Sequence, residues 1–239
     1  MHLDQLLARN LGVSRRRIQG LIRAGRVREP SGAELGDARR PVRDDELPLH
    51  LRVDDRAVAL HAAWHLLLHK PVGFVTALRD PVHRTARELV RDAPLAAELR
   101  PIGRLDLDTS GLLLWTTEGA WVQRLTHPKR AVPRSYHAAL ARPFHPAPPD
   151  LTLADGHRPR IADLRPIEPA EAHPGLLVPP GAALLAAITI TGGAYHEVRR
   201  IFAALGSHVL GLCRVGFGGI ELPRDLAPGA HRPVDPRAV

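Results

Sequence analysis

Beyond Leu60 the chain is a succession of short apolar runs separated by prolines and glycines. Ten of its 23 prolines lie within residues 143–180, and because proline lacks a backbone donor, this stretch cannot form long helices. The runs LLLWTT, SYHAALA and ALLAAITIT predict strands. Since helices do not alternate regularly with them, these strands favour an α+β domain with a mixed or antiparallel sheet.

HEVRRIFAALG is the clearest helix in the sequence. Its apolar residues follow the spacing i, i+3, i+4, i+7, and Gly206 stands where a C-terminal cap belongs. The stripe comprises Val198, Ile201, Phe202 and Leu205. A second helix is predicted over EGAWVQRLTHP, with Thr117 as its cap.

The charge of the chain favours a nucleic-acid partner. The formal net charge is +8, and apart from Lys70 and Lys129 the basic residues are arginines. A guanidinium stays charged and matches the oxygens of a phosphate. Nucleic acid is therefore the first partner to consider, against the alternative of a generally basic surface.

Much of this excess lies in residues 1–43, which contain ten arginines and four acidic residues. Leucines at helical spacing predict a first helix that ends at Gly12, and Ser14 is a good N-cap for a second. Arginines in a first helical turn oppose the helix dipole, so an external anion explains them better than helix stability does.

The order helix, SRRR, helix, IRAGRV resembles the small S4-type α/β RNA-binding domain over residues 1–50. After Arg26 the sequence VREPSGAELGDARRPV departs from the usual short strand and turn. The resemblance implies RNA contacts by five arginines: Arg15, Arg16, Arg17, Arg23 and Arg26. Residues 51–64 are expected to form a linker, and residues 65–239 a second domain.

Several classes of protein are disfavoured by the sequence. No run approaches the roughly 18 apolar residues of a membrane span, and MHLDQLLARNLGVSRRR lacks the apolar core of a signal peptide, so we expect a cytoplasmic protein. Cys213 is the single cysteine, which excludes an internal disulfide. His61, His65 and His69 would stack on a helix as zinc ligands do, but their run ends at a proline and favours a strand, so we expect no metal site.

The stretch GRLDLDTSGLLLW places Asp106 and Asp108 in a polar turn before a buried strand. Asp-x-Asp occurs in haloacid-dehalogenase-type phosphatases, but there it follows an apolar strand. Asp-Thr-Ser-Gly is similar to the aspartic-protease turn, which requires Asp-Thr-Gly and a second copy. An Asx-type turn explains the segment from Asp108 onward, but not Arg104 and Asp106 at the start of the strand.

GRLDLDTSGLLL resembles the catalytic motif of pseudouridine synthases, and HKPVGFVT resembles the family's lysine-proline-glycine motif. PRSYHAAL, GGAYHEVRRIFAALGSHVLGLCRVGFGGIEL and DLAPGAHRPV follow in the family's order, so the resemblance spans nearly all of residues 65–239. YHEVRR and DLAPG are most similar to the branch that modifies one uridine of small-subunit (16S) ribosomal RNA. The resemblance implies a catalytic domain with a mixed, mostly antiparallel sheet flanked by helices.

The family resemblance also implies roles for individual residues. Asp106 would be the nucleophile and Asp108 structural, while Tyr136 would stack on the target base and Arg199 would pair with the catalytic carboxylate. Arg104 would help to extrude the nucleotide, because a base inside folded RNA is out of reach. Further substrate contacts are expected from Lys70, Gly73, Arg134 and Arg200.

Isomerisation of uridine consumes nothing, so no metal or redox cofactor is expected, and the carboxylate could attack either the uracil ring or the ribose. The expected substrate is ribosomal RNA, free or in a pre-ribosomal particle, and the expected state is a monomer. A non-catalytic ribosome-assembly factor with the same fold is the competing hypothesis, and a magnesium-dependent phosphatase a more distant one. His69 stands where the family usually has asparagine.

Overall fold

The computed structural model describes all 239 residues and divides them into two compact units. Unit 1 comprises residues 1–64 and 91–99, and unit 2 comprises residues 65–90 and 100–239. None of the helices combines the length and the hydrophobicity needed to traverse a bilayer.

Unit 1 contains helices α1 (Leu3–Leu11) and α2 (Arg15–Arg23). Its antiparallel sheet has the order β1 (Val27–Arg28), β2 (Leu49–Val53), β3 (Arg56–Leu60). The two expected helix boundaries are confirmed: Gly12, at φ 65°, ends α1, and the Ser14 hydroxyl accepts a hydrogen bond from the Arg17 amide at 3.2 Å.

The expected linker over residues 51–64 is wrong. Most of it lies in β2 and β3, and Leu51, Val53 and Leu60 are buried in one core with the leucines of α1. The reason is their spacing: alternate residues of a strand face the same side, so this short stretch buries an apolar face although it is polar on average.

Unit 2 begins with strands β4 (His65–Lys70), β5 (Phe74–Val75), β6 (Arg84–Thr85) and β7 (Arg100–Ile102). The central part contains β8 (Thr109–Thr116), α3 (Gly119–Thr126), β9 (Arg134–Leu140), β10 (Ile161–Pro166) and β11 (Leu184–Ile190). It ends with α4 (Glu197–Ala204), β12 (Val209–Phe217), β13 (Ile220–Glu221) and β14 (His231–Pro233). These elements confirm the predicted strands and helices, except that Glu118, not Thr117, is the N-cap residue of α3.

The nine-stranded sheet of unit 2 has the order β10-β11-β9-β12-β8-β4-β14, with β13 on β12 and β7 on β8. All these pairs are antiparallel except β8 with β12, which is parallel. The predicted α+β class with a mixed, mostly antiparallel sheet is therefore confirmed. Every residue of β8 is buried, because its apolar run occupies the centre of the sheet.

Gly111 allows β8 and β12 to approach closely. It has φ 112° and is the register partner of Arg214. A Cβ at this position would lie 2.3 Å from the carbonyl oxygen of Arg214. Only glycine satisfies both the backbone angle and the contact, so this residue fixes how the two strands that flank the functional site meet.

Candidate active site

A cavity of about 400 Å³ in unit 2 is lined by five of the eight residues expected for catalysis or substrate contact. We call it the Asp106 cavity. It lies between the turn that precedes β8, one face of β9 and β12, and the start of α4. Side chains at Arg134 and Tyr136 of β9 share a face because strand side chains alternate. Arg214 on β12 is the register partner of Tyr136 and joins that face.

Asp106 is held at the entrance of this cavity by its turn. The carbonyl of Asp106 accepts a hydrogen bond from the Thr109 amide at 3.2 Å. The preceding residue is fixed from both sides by the Thr76 hydroxyl, which donates to the Leu105 carbonyl at 2.8 Å and accepts from its amide at 3.0 Å. The Asp106 side chain is 36% exposed, so a ligand entering the cavity can reach the carboxylate.

An imidazole lies beside Asp106: the Nε2 of His196 is 3.6 Å from Asp106 Oδ2. His196 precedes α4 with a left-handed φ of 49° and stacks on Tyr195, with ring centroids 3.9 Å apart. A non-glycine residue in this conformation is uncommon and concentrates at functional sites. Sequence reasoning assigned no role to His196, although it lies within the YHEVRR motif.

Arg199 does not pair with Asp106, so that expected contact is wrong in this structure. Its Nη2 lies 2.9 Å from Asp108 Oδ2, and its Nη1 donates to the Val209 carbonyl at 3.1 Å. Asp108 belongs to the same turn as Asp106. Arg199 therefore fastens α4 to the turn that carries Asp106 and lines the cavity without contacting the expected nucleophile.

Tyr136 lines the same cavity as Asp106. It is 8% exposed and lies in β9 between Ile188 of β11 and Arg214 of β12. These paired strands hold the ring in place, and the part of it that lines the cavity offers a surface for a base to stack on.

Lys70 is not placed to contact phosphate, and that expectation is wrong. Its side chain is fully buried, and the ammonium donates to the carbonyls of Pro71 and Phe74 at 2.9 and 2.7 Å. Burial lowers the pKa of Lys70 to about 8, while the negative charges of Asp106 and Asp108 oppose the shift. Lys70 instead fixes the loop that contains Gly73, whose amide donates to the Leu107 carbonyl at 2.8 Å.

The remaining expected substrate contacts differ in accessibility. Arg104 is exposed at the edge of the cavity. Arg134 lines the cavity, donates to the Gly192 carbonyl and lies over the Phe217 ring, and burial lowers its pKa. Arg200 forms an ion pair with Asp155 and donates to the Tyr195 carbonyl at 3.1 Å, so the structure gives it a partner within the protein.

Arg214 was missed by sequence reasoning. It is 1% exposed, its Nε donates to the Leu112 carbonyl at 2.8 Å, and its Nη1 donates to the Arg104 carbonyl at 3.4 Å. The signal that could have found it is an arginine inside the apolar run VLGLCRVGF, because arginine is almost never fully buried unless it is paired.

The histidines that could have stacked on a helix lie apart. His65 and His69 belong to strand β4, while His61 lies outside it and packs on Trp64. His69 is buried and contacts the Leu226 carbonyl through Nδ1 at 2.7 Å. This confirms the strand and shows His69 packed in the interior of unit 2.

In unit 1 the five expected RNA-binding arginines divide into two groups. Arg15 forms an ion pair with the buried Asp4 at 2.9 Å, and Arg26 forms one with Asp54 at 2.5 Å. The fold itself thus explains Arg15, contrary to the expectation of an external anion. The exposed members for which the structure shows no such ion pair are Arg16, Arg17 and Arg23.

Comparisons with known proteins give the family. Residues 65–204 match the family model for RNA pseudouridylate synthase. The chain is 36% identical to ribosomal small subunit pseudouridine synthase A of Yersinia pestis, covering 98% of this chain and 94% of that one. It is also 36% identical to the protein of the same name from Escherichia coli K12, covering 98% and 96%.

A solved structure gives the same result for the fold. A crystal structure described as a pseudouridylate synthase superimposes with a TM-score of 0.55 at 27% identity, covering 98% of this chain and 96% of the other. The sequence matches and this superposition extend across both units. The chain belongs to the RNA pseudouridylate synthase family.

Proposed function

We propose that the protein isomerises a specific uridine to pseudouridine in small-subunit (16S) ribosomal RNA, with Asp106 as the nucleophile. The observation that carries this proposal is a partly exposed carboxylate at the mouth of a cavity that also contains Tyr136 and four arginines. The chain matches nearly the full length of two relatives, from Yersinia pestis and Escherichia coli, that are named ribosomal small subunit pseudouridine synthase A.

The Asp106 cavity suits a single nucleotide that has left its helix. Its volume of about 400 Å³ falls within the range of small-molecule sites. Tyr136 provides a stacking surface, and the exposed Arg104 stands at the edge where a nucleotide would enter. A base flipped into this position would bring its glycosidic bond within reach of Asp106.

The chemistry needs one ionised carboxylate. Attack on the ring or on the ribose lets the bond between N1 and the ribose break, after which the base turns and rejoins the ribose through carbon 5. Carbon 5 then loses its proton and the freed N1 gains one, so the product is an isomer of the substrate and nothing is consumed. Every group invoked belongs to one chain, which supports action as a monomer. The substrate would be ribosomal RNA, either free or in a pre-ribosomal particle.

Unit 1, which contains the S4-like region of residues 1–50, would bind the phosphate backbone of the RNA. Arg16, Arg17 and Arg23 present exposed guanidinium groups on α2. Charge of this kind binds phosphate without reading the sequence, so it would supply affinity while the Asp106 cavity selects the nucleotide.

The test is carbodiimide treatment followed by reverse-transcription mapping of small-subunit RNA incubated with the purified protein. We expect one new stop with the wild-type chain and none with Asp106→Asn, while Asp163→Asn, on exposed strand β10, retains it. No stop with the wild-type chain on free RNA or on partly assembled particles would refute the proposed function.

A further inference from the structure

Two fully buried residues of the Asp106 cavity have a polar side-chain atom without a hydrogen-bond partner. They are Arg214, through its Nη2, and Thr109, through its hydroxyl, and each is 1% exposed; the Nε of the half-buried Arg199 also lacks a partner. A buried donor that lacks a partner costs on the order of 1–3 kcal/mol. Two such atoms in one cavity indicate that a bound ligand supplies the missing hydrogen-bond partners.

The backbone is built to hold Arg214 in this position. Gly111 provides the close approach between β8 and β12, and two of the guanidinium nitrogens are fixed by the carbonyls of Leu112 and Arg104. The Phe217 ring lies 5.3 Å from the guanidinium carbon. The group is therefore rigid, and Nη2 is the nitrogen that remains for an external acceptor.

The charge around Arg214 also favours a ligand that becomes negative. Lys70 is buried and Arg134 is half-buried; burial is the main cause that lowers the pKa of each, and the positive charge of Arg214 adds to both shifts. The acidic residues that line the cavity are Asp106, at its mouth, and Glu197, which already accepts from the Ala194 amide at 2.9 Å and contacts His157 at 2.8 Å. Arg134 and Arg214, which line the cavity, have only carbonyl oxygens as hydrogen-bond partners, so this part of the wall carries positive charge that no carboxylate pairs with.

We propose that Arg214 and Thr109 recognise the uracil of the target nucleotide, Arg214 donating from Nη2 to a carbonyl oxygen of the base. The inference rests on the proposed function. When the bond between N1 and the ribose breaks, its electron pair stays on the uracil, and the negative charge is shared with the carbonyl oxygens. A fixed cation at such an oxygen stabilises that charge in a cavity where water is scarce. The Thr109 hydroxyl pairs with the adjoining polar atom of the base.

The experiment exchanges oxygen for sulfur at the carbonyl. RNAs are prepared by ligation with uridine, 2-thiouridine or 4-thiouridine at the mapped position, and single-turnover rates are measured for wild type, Arg214→Lys, Arg214→Gln and Thr109→Val. Removing one such donor is expected to slow the unmodified RNA by about 10²–10³-fold. Sulfur accepts hydrogen bonds weakly, so one of the two thio-substitutions should slow wild type about tenfold more than it slows either Arg214 variant.

Ser110→Ala is the structural control. The Ser110 hydroxyl donates to the Gly175 and Leu212 carbonyls at 2.8 and 3.3 Å, one residue along β8 from Thr109. Its loss should lower thermal stability while leaving the response to sulfur as in wild type. Equal sulfur effects in wild type and both Arg214 variants would overturn the inference.

A second measurement does not depend on the folding of an Arg214 variant. The Asp106→Asn protein is titrated with RNAs whose target base lacks either O2 or O4. Loss of one carbonyl should weaken binding by about tenfold or more, and if neither loss weakens it, the inference is wrong. An inactive wild-type enzyme on the unmodified RNA would instead contradict the proposed function, so the two failures are distinct.

Discussion

Arg199 Nη2 lies 2.9 Å from Asp108 Oδ2. The arginine of α4 therefore forms an ion pair with Asp108, two residues after the proposed nucleophile Asp106. The Asp108 side chain is largely exposed, whereas Arg199 is mostly covered. The pair thus joins the helix to the turn, and Asp106 keeps its carboxylate available at the cavity mouth. Replacing Asp106 should therefore affect the enzyme differently from replacing Asp108.

Asp106→Asn is expected to lower the single-turnover rate by at least about a thousandfold, because it removes the nucleophile. Asp108→Asn should lower it only about tenfold, since the turn loosens but its chemistry remains. RNA affinity measured by filter binding should stay close to wild type in both. If Asp108→Asn proves as inactive as Asp106→Asn, the assignment of the nucleophile to Asp106 fails.

Replacing Arg16, Arg17 and Arg23 together by glutamine should weaken RNA binding without changing thermal stability, because these side chains are exposed. Each phosphate that the protein no longer neutralises makes the slope of log affinity against log salt shallower by about 0.7–0.9. Arg15→Gln serves as the contrast: it removes the partner of buried Asp4 and should cost about 1 kcal/mol of stability. An unchanged salt slope in the triple variant would exclude this surface as the RNA-binding face.

Acid should destabilise unit 2 through His69 and His173. Burial lowers the pKa of both, and in His173 the charge of His69 adds to the effect. As the pH falls below about 6.5, the unfolded chain takes up protons that the folded one does not, so the unfolding free energy falls by at most about 1.4 kcal/mol per pH unit for each histidine. Urea unfolding from pH 8 to pH 5 measures this loss.

His69→Asn tests the same point with the residue that the family usually has at this position. The asparagine amide can still donate toward the Leu226 carbonyl, and it does not titrate. Stability at pH 8 should stay near that of wild type, and the loss on acidification should become smaller. A variant that loses stability on acidification as steeply as wild type would remove His69 from the explanation.

Lys70 should make the protein more stable at alkaline pH. Its pKa is lowered to about 8 in the folded state, against about 10.4 in an unfolded chain. Between these values the unfolded state binds more protons, so the unfolding free energy rises with pH by up to about 1.4 kcal/mol per unit. Lys70→Met should abolish this rise, whereas Lys129→Met, at the exposed lysine, should keep it; a rise that persists in both variants would contradict the assignment.

The sequence by itself determined the elements that carry local signals. The apolar stripe of α4, the caps at Gly12 and Ser14, and the strand in SYHAALA all depend on the spacing of neighbouring residues, and the structure reproduces them. The motif order also determined the family, since matched segments persist along the whole chain. The linker predicted for residues 51–64 is wrong because the average polarity of this stretch conceals the alternation of apolar and polar residues in β2 and β3.

Only the tertiary structure decided which side chains meet. Arg214 faces Tyr136 because β9 and β12 pair in one register, and it reaches the Arg104 carbonyl 110 residues away. The partner of Arg199, the burial of Lys70 and the approach of His196 to Asp106 likewise depend on contacts between distant segments. Spacing along the chain specifies which face a residue occupies, whereas the pairing of strands and the packing of α4 specify what that face meets.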